Sequence, residues 1–167
     1  MKKNNRKRVH FITLSAMIAA LYVVLTLLVA PYAFGNVQLR VSEALCVLVF
    51  FTPAAIPGLT IGCFIVNLIA SPYPPDLVLG TLATLIGMVG GYLLRKNKWL
   101  VTIPTVLANT IIVPLIIIIG STSPGARMAF DLYPALAIGI FIGELLSATV
   151  LGTGLLFLLK KYNFKFK

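Results

Sequence analysis

Carboxyl groups are scarce in this sequence, and most of them lie in or beside apolar segments. The chain has four acidic residues, Glu43, Asp76, Asp131 and Glu144, against 14 lysines and arginines, and a single histidine, His10. Inside hydrocarbon an ionisable side chain is costly unless it pairs or lines a wet cavity, so such residues mark functional sites. Each acid is therefore a candidate site residue.

Glu144 is the deepest of these acids, because it lies about 11 residues, or about 16 Å along a helix, into the last apolar segment. Asn109 lies midway along the preceding segment, and we expect it at a similar depth. The other polar candidates lie nearer the outer side, at the ends of segments. Together they predict a pocket in the outer half of a helical bundle, lined by Gln38, Arg40, Glu43, Asn67, Asp76, Asn109 and Glu144.

A purely structural interpretation of these residues stays open. Arg40 and Glu43 are three residues apart and can pair with each other on a helix. Glu144 can likewise bond to Asn109 for packing alone. Buried pairs of this kind occur without any ligand.

The sequence does not favour an enzyme. It contains no Ser/His/Asp set, no histidine-rich metal set and no phosphate-binding glycine loop, and we expect no catalytic residue, metal or cofactor. Glu144 is expected to lack an acidic partner at its own depth. Cys46 and Cys63 match no metal or redox spacing and are interpreted as small buried apolar residues.

The composition indicates a membrane protein, with 59% hydrophobic and 11% charged residues in 167. The first apolar run is too long for a cleaved signal peptide and is expected to stay as an anchor. Prolines and turn-forming residues divide the chain into six apolar segments, so we predict one all-α integral membrane domain, residues 1–167, with six transmembrane helices. The segments are 9–30, 41–52, 54–70, 77–94, 100–119 and 133–159.

The basic residues, which give a net charge of +10, predict the orientation in the cell membrane. They cluster before the first segment, at Arg95–Lys98, and after the last segment. With six crossings all three clusters face the cytoplasm, together with both termini. This distribution along segment ends argues against nucleic-acid binding. Whether residues 41–70 form two full crossings or a re-entrant hairpin stays open, because both arrangements give the later segments the same orientation in the membrane.

Small residues four apart predict close helix packing. The glycine pairs Gly58/Gly62, Gly87/Gly91 and Gly139/Gly143 are expected to pack helices of this chain together. Ala16 and Ala20 form a similar uncharged face on the first helix. This face either docks a partner protein or packs against the chain's own helices.

The alanine pair in AMIAA at 16–20, in the first of six helices, resembles the substrate-binding (S) components of energy-coupling factor (ECF) vitamin transporters. Three further stretches are the block VQLRVSEAL at 37–45, residues 58–67, and residues 76–84 with GTLAT inside. These three resemble the QueT family, the S components that take up queuosine precursors. The 37–45 block is the most specific, and the resemblance covers nearly the whole chain.

This resemblance implies a membrane subunit that binds a 7-deazaguanine base, in its cyano or aminomethyl form, at the outer side. Its implied partners are an ECF transmembrane coupling protein, which favours docking at Ala16 and Ala20, and two cytoplasmic ATPases that hydrolyse the ATP. Two alternatives are an S component for another vitamin or micronutrient and a stand-alone secondary carrier. A ligand-free structural subunit would instead tolerate apolar replacements of its buried polar residues.

Overall fold

The computed structural model describes residues 3–34, 38–71, 73–120 and 131–162, whose regular secondary structure is helical. Some positions with a role in the sequence analysis lie outside the described residues. They are the turn-forming residues 121–125 between the last two segments, Arg127, Val37 of the 37–45 block, and the basic residues at positions 2, 165 and 167. The elements are α1 (Lys3–Leu28), α2 (Ala30–Ala33), a 3₁₀ helix (Val41–Phe50), α3 (Ala55–Ala70), α4 (Asp76–Leu93), α5 (Ile103–Gly120), α6 (Tyr133–Glu144), a π-helical segment (Leu145–Leu151) and α7 (Gly152–Lys161).

The structure is a polytopic helical membrane bundle, as the composition predicted. Four helices within the described residues are long and apolar enough to cross a bilayer: Asn4–Leu28, Asp76–Leu93, Ile103–Gly120 and Tyr133–Lys161. The last of these joins α6, the π-helical segment and α7 into one continuous helix of 29 residues. Val41–Phe50 and Ala55–Ala70 are shorter apolar helices, and the count of six crossings stays a prediction.

The first helix begins earlier than the apolar pattern indicated. It starts at Lys3, six residues before the predicted segment, because the exposed basic residues there continue the helix into polar surroundings. Lysine and arginine are good helix formers, so polarity alone does not end a helix. The first helix ends at Leu28, and Pro31 then lies in the first turn of α2, where its missing N–H is not needed.

The short segment after residue 40 forms the centre of the bundle. Its 3₁₀ helix packs against α1, α3, α4, α7 and the π-helical segment. Eight of its ten residues are buried, which fits a helix that is apolar on all sides. At about 2.0 Å per residue it spans about 20 Å, against about 15 Å for an α-helix of the same length.

Around this centre, consecutive helices pack in sequence order, α1 on α3, α3 on α4, α4 on α5 and α5 on α6. Glycines allow the closest approaches, as predicted. A Cβ atom added at Gly62 would lie 2.9 Å from the Cβ of Tyr22 on α1, and one at Gly87 would lie 2.8 Å from the Cα of Thr105. The predicted pairs Gly58/Gly62 and Gly87/Gly91 therefore serve packing within this chain, and the role of Gly139/Gly143 stays a prediction.

The basic clusters meet at one end of the bundle. The Lys98 ammonium lies 4.9 Å from the centre of the Phe157 ring, and the Lys160 ammonium lies 4.4 Å from the centre of the Phe50 ring. Ser15, in the N-terminal half of α1, donates a hydrogen bond to the carbonyl of Ala54 near the same end. We call this the basic end. That it faces the cytoplasm stays a prediction.

Candidate functional site

At the opposite end, Arg40 joins three parts of the chain. Its Nη2 lies 3.3 Å from Oδ2 of Asp76, the first residue of α4, and its Nε donates to the carbonyl of Ala33 at 3.1 Å. The Asp76 carboxylate also accepts a hydrogen bond from Ser71, and the Asn67 amide donates to the Asp76 carbonyl at 2.9 Å. We call these residues the Arg40 cluster. They connect the segment before the 3₁₀ helix to the facing ends of α3 and α4.

The local backbone explains why Arg40 does not pair with Glu43. Arg40 precedes the 3₁₀ helix in extended conformation, with φ −96° and ψ 98°, so the side chain does not share a helix face with the residue three positions later. The negative charge of Asp76 is favourable in the first turn of α4, because the N-terminus of a helix carries partial positive charge. The Arg40–Glu43 pair of the purely structural interpretation is therefore wrong.

Gln38 is also buried at this end. Its φ of 44° lies in the left-handed region, which a glutamine rarely adopts. Such strained positions persist only where the surrounding structure holds them, and they concentrate at functional sites. The predicted site residue Gln38 thus lies on a strained segment directly before Arg40.

Deeper in the bundle, two carboxyl groups form a second group of polar residues. Glu43 Oε1 accepts a hydrogen bond of 2.6 Å from the Tyr22 hydroxyl, and Glu43 Oε2 accepts one from the Cys46 thiol. Glu144 Oε1 accepts a hydrogen bond of 2.7 Å from the Asn109 amide, which confirms their similar depth and is the contact that the purely structural interpretation proposed. We call Tyr22, Glu43, Cys46, Asn109 and Glu144 the carboxyl cluster.

Glu43 is buried in the interior, although the sequence analysis placed it near the outer side at the start of the second segment. Glu43 and Glu144 are both at most 1% exposed. The expectation failed because it took the start of the second segment as outer surface. The compact 3₁₀ helix instead carries Glu43 into the bundle, where it packs against the helix that carries Glu144.

Several buried polar atoms have no hydrogen-bond partner among the described residues. Two acceptors, Asn67 Oδ1 and Asp76 Oδ1, belong to the Arg40 cluster. Four more atoms lie on α5 and on the long last helix: Thr105 Oγ1, Thr110 Oγ1, Glu144 Oε2 and Ser147 Oγ. Leaving such a group unpaired costs about 1–3 kcal/mol, so native structures usually pair them with water or a ligand. These atoms mark where a polar ligand can bind.

Sequence reasoning missed Thr105, Ser147 and Tyr22. Thr105 precedes Asn109 by four residues and Ser147 follows Glu144 by three, and both spacings place the pairs on one helix face. That spacing was a usable signal for both. Tyr22 gave none, since an aromatic residue in an apolar helix is usually packing, and only its bond to Glu43 reveals its polar role.

The two cysteines are free and buried, but they are more than small apolar residues. The Cys46 thiol donates to Glu43 at 3.0 Å, and the Thr84 hydroxyl donates to the Cys63 sulfur at 3.2 Å. Both thiols thus take part in the polar interior. The described residues contain no group of metal-ligating side chains suited to hold an ion.

The face of α1 that carries Ala16 and Ala20 is apolar and exposed. Ala16 and Ala20 are exposed, which contradicts the alternative that they pack against this chain's own helices. Ala20 also lines a groove of about 590 Å³ between α1, the 3₁₀ helix and α7, whose other walls include Leu21, Leu45 and Leu155. Asp131, by contrast with the buried acids, is exposed.

Charged and amide side chains buried in the interior of a helical membrane bundle are typical of membrane proteins that bind or transport solutes. Comparison with known proteins agrees. Residues 12–161 match the family described as QueT transporter, and the chain belongs to that family. This confirms the resemblance drawn from the sequence, and a transporter family is not an enzyme family.

One curated relative is the queuosine precursor transporter QueT of Lactococcus lactis subsp. cremoris (strain MG1363). It is 38% identical over 96 residues, which are 56% of this chain and 54% of the relative. The chain therefore spans about half the length of the curated relative that it matches. No solved structure matches the chain significantly.

Proposed function

We propose that this chain is the membrane-embedded substrate-binding subunit of an ATP-driven ECF-type importer, and that it binds a 7-deazaguanine precursor of queuosine. Family membership and the name of the Lactococcus relative support the substrate class. The observation that carries the proposal is the carboxyl of Glu144, which is buried, bonded to Asn109 through one oxygen and unpartnered at the other.

This arrangement suits the edge of a guanine-like base. Such an edge offers adjacent N–H donors, which a carboxylate accepts, and a carbonyl, which an amide or hydroxyl can meet. Glu144 is assigned to the donors, with Asn109 as the amide partner. The hydroxyls of Thr105 and Ser147, which lack partners among the described residues, are assigned to the remaining polar atoms of the base.

The Arg40 cluster is assigned to the outer part of the same binding path. Asn67 Oδ1 and Asp76 Oδ1 are buried acceptors without a partner among the described residues, and they lie where α3 and α4 meet the segment before the 3₁₀ helix. Arg40 holds that segment in place through Ala33 and Asp76. Together with Gln38 and Glu43, these residues form the route by which a ligand reaches Glu144.

The proposed partners are an ECF transmembrane coupling protein and two cytoplasmic ATPases. Ala16 and Ala20 are exposed and uncharged, so another helix can approach α1 closely there. The adjoining apolar groove gives that helix a surface to pack against. Six crossings, with both termini and the basic end in the cytoplasm, complete the proposed arrangement in the cell membrane.

A stand-alone secondary carrier is the second candidate, and one observation favours it. Fully buried carboxyl groups such as Glu43 and Glu144 are typical of proton-coupled carriers. The two candidates differ in their need for partners. Uptake by vesicles that contain this chain alone supports the carrier, whereas uptake only with the coupling protein, both ATPases and ATP supports the importer.

The substrate is tested by purifying the protein and identifying any co-purifying small molecule by mass spectrometry. Calorimetry with the cyano and aminomethyl 7-deazaguanines, and with guanine as the matched control, then measures binding. We expect at least one deazaguanine to bind more tightly than guanine. A different co-purified vitamin, with no deazaguanine binding, would identify an S component for another micronutrient.

A further inference from the structure

The buried charges of the described interior do not balance. Arg40 is the buried cation of this region, and its direct ionic contact is with Asp76. That leaves Glu43 and Glu144, whose hydrogen-bond donors are the neutral groups of Tyr22, Cys46 and Asn109. A carboxyl group sealed in a membrane interior with only neutral hydrogen-bond partners is favoured to be neutral.

Hydrogen bonding distinguishes the two carboxyl groups. Both oxygens of Glu43 accept hydrogen bonds, from the Tyr22 hydroxyl and the Cys46 thiol, so neither oxygen lacks a donor. Glu144 accepts through Oε1 only, and its Oε2 has no partner among the described residues. Oε2 of Glu144 is therefore the carboxyl oxygen that is free to carry a proton.

The groups that face Glu144 agree with this assignment. From the 3₁₀ helix and the residue before it come Glu43, which repels a negative charge on Glu144, and Arg40, which attracts one but already binds Asp76. Cys46 also interacts with Glu144, and its thiol is bonded to Glu43. Between Ile103 and Gly120, α5 has no ionisable side chain and contributes Asn109.

We infer that Glu144 holds a proton on Oε2 when the site is empty and that the ligand displaces this proton on binding. The second half rests on the proposed function. Two adjacent N–H donors of a base require both oxygens of the carboxyl as acceptors, and a proton on Oε2 would oppose one of them. Binding then releases about one proton for each ligand, and affinity falls by up to about tenfold for each pH unit below neutrality.

The small number of acids makes the proton directly observable. Infrared spectra of the purified protein at neutral pH show the C=O stretch of any protonated carboxyl, and only four side chains can contribute. Asp76 is paired with Arg40 and Asp131 is exposed, and substitution identifies the side chain that gives the band. We expect one acid band in the ligand-free protein, lost in Glu144→Gln and retained in the control Asp131→Asn.

The absence of this band from the ligand-free protein would overturn the inference, as would its loss in Glu43→Gln together with its persistence in Glu144→Gln. These spectra need no ligand, so they decide the location of the proton even where the proposed function fails.

The displacement of the proton by the ligand is measured by calorimetry with a 7-deazaguanine in buffers of different ionisation enthalpy. Release of about one proton, with loss of the band, supports it; binding that releases no proton and leaves the band in place overturns it.

Discussion

The Tyr22 hydroxyl lies 2.6 Å from Oε1 of Glu43 and joins the first helix to the central 3₁₀ helix inside the bundle. Tyr22 is fully buried, whereas Ala20, two residues earlier on the same helix, is exposed beside the apolar groove. The two faces of α1 therefore differ. One contacts the carboxyl cluster, and the other is free to contact a neighbouring protein.

Glu144 is predicted to matter more for ligand binding than Asp131. Replacing a buried charged hydrogen-bond partner costs about 2–5 kcal/mol of binding free energy, against under about 1 kcal/mol for an exposed charge. Calorimetry should therefore show a large loss of affinity for Glu144→Gln and little change for Asp131→Asn, which is exposed. Small and equal losses in both variants would mean that Glu144 has only a structural role.

The exposed alanine face is predicted to dock the coupling protein. Ala16→Trp with Ala20→Trp adds bulk where helices must approach, so the purified variant should bind ligand normally yet fail to join the complex or support uptake. Leu107→Trp with Ile111→Trp is the matched control, since these residues are exposed with the same spacing on α5. Loss of ligand binding in the alanine variant alone would argue against docking at this face.

The Arg40–Asp76 pair is predicted to stabilise the folded protein. Asp76→Asn leaves a buried guanidinium without its counter-charge, and breaking a buried pair in this way costs about 3–5 kcal/mol. We expect a clear decrease in Tm in detergent. Arg40→Gln added to Asp76→Asn should recover part of it, whereas strictly additive losses would show that the two residues act independently.

Close packing of α1 on α3 is predicted to limit the size of residue 62. A Cβ atom at Gly62 would lie 2.9 Å from the Tyr22 Cβ and 3.0 Å from the Ala19 carbonyl oxygen, so Gly62→Ala should lower stability by about 1–3 kcal/mol. Gly154 is the control, because a Cβ there meets nothing within 4 Å. Gly154→Ala should leave Tm unchanged or raise it, and equal effects at both positions would contradict the packing argument.

The basic end is predicted to face the cytoplasm. In a variant with both cysteines replaced by alanine, single cysteines are introduced as Asn97→Cys at the basic end and Tyr32→Cys at the other end, where both native side chains are exposed. An impermeant thiol reagent applied to intact cells should label position 32, and position 97 only after permeabilisation. Labelling of position 97 in intact cells would reverse the topology.

The sequence by itself determined the class of structure. Long apolar segments must bury their backbone hydrogen bonds within helices, and the scarcity of charge left the bilayer as the natural surroundings. Depth along two long helices was also enough to place Asn109 and Glu144 at a similar level, which their hydrogen bond confirms, since position in such a helix follows directly from residue number.

Only the tertiary structure decided how the other polar groups combine. Arg40 bonds to Asp76, 36 residues away, instead of its neighbour Glu43, because the chain is extended at Arg40. Tyr22 meets Glu43 across 21 residues. The 3₁₀ helix buries Glu43 in the interior of the bundle. Helical periodicity relates residues a few positions apart, whereas these contacts depend on how whole helices pack, and that packing is fixed by close approaches such as those at Gly62 and Gly87.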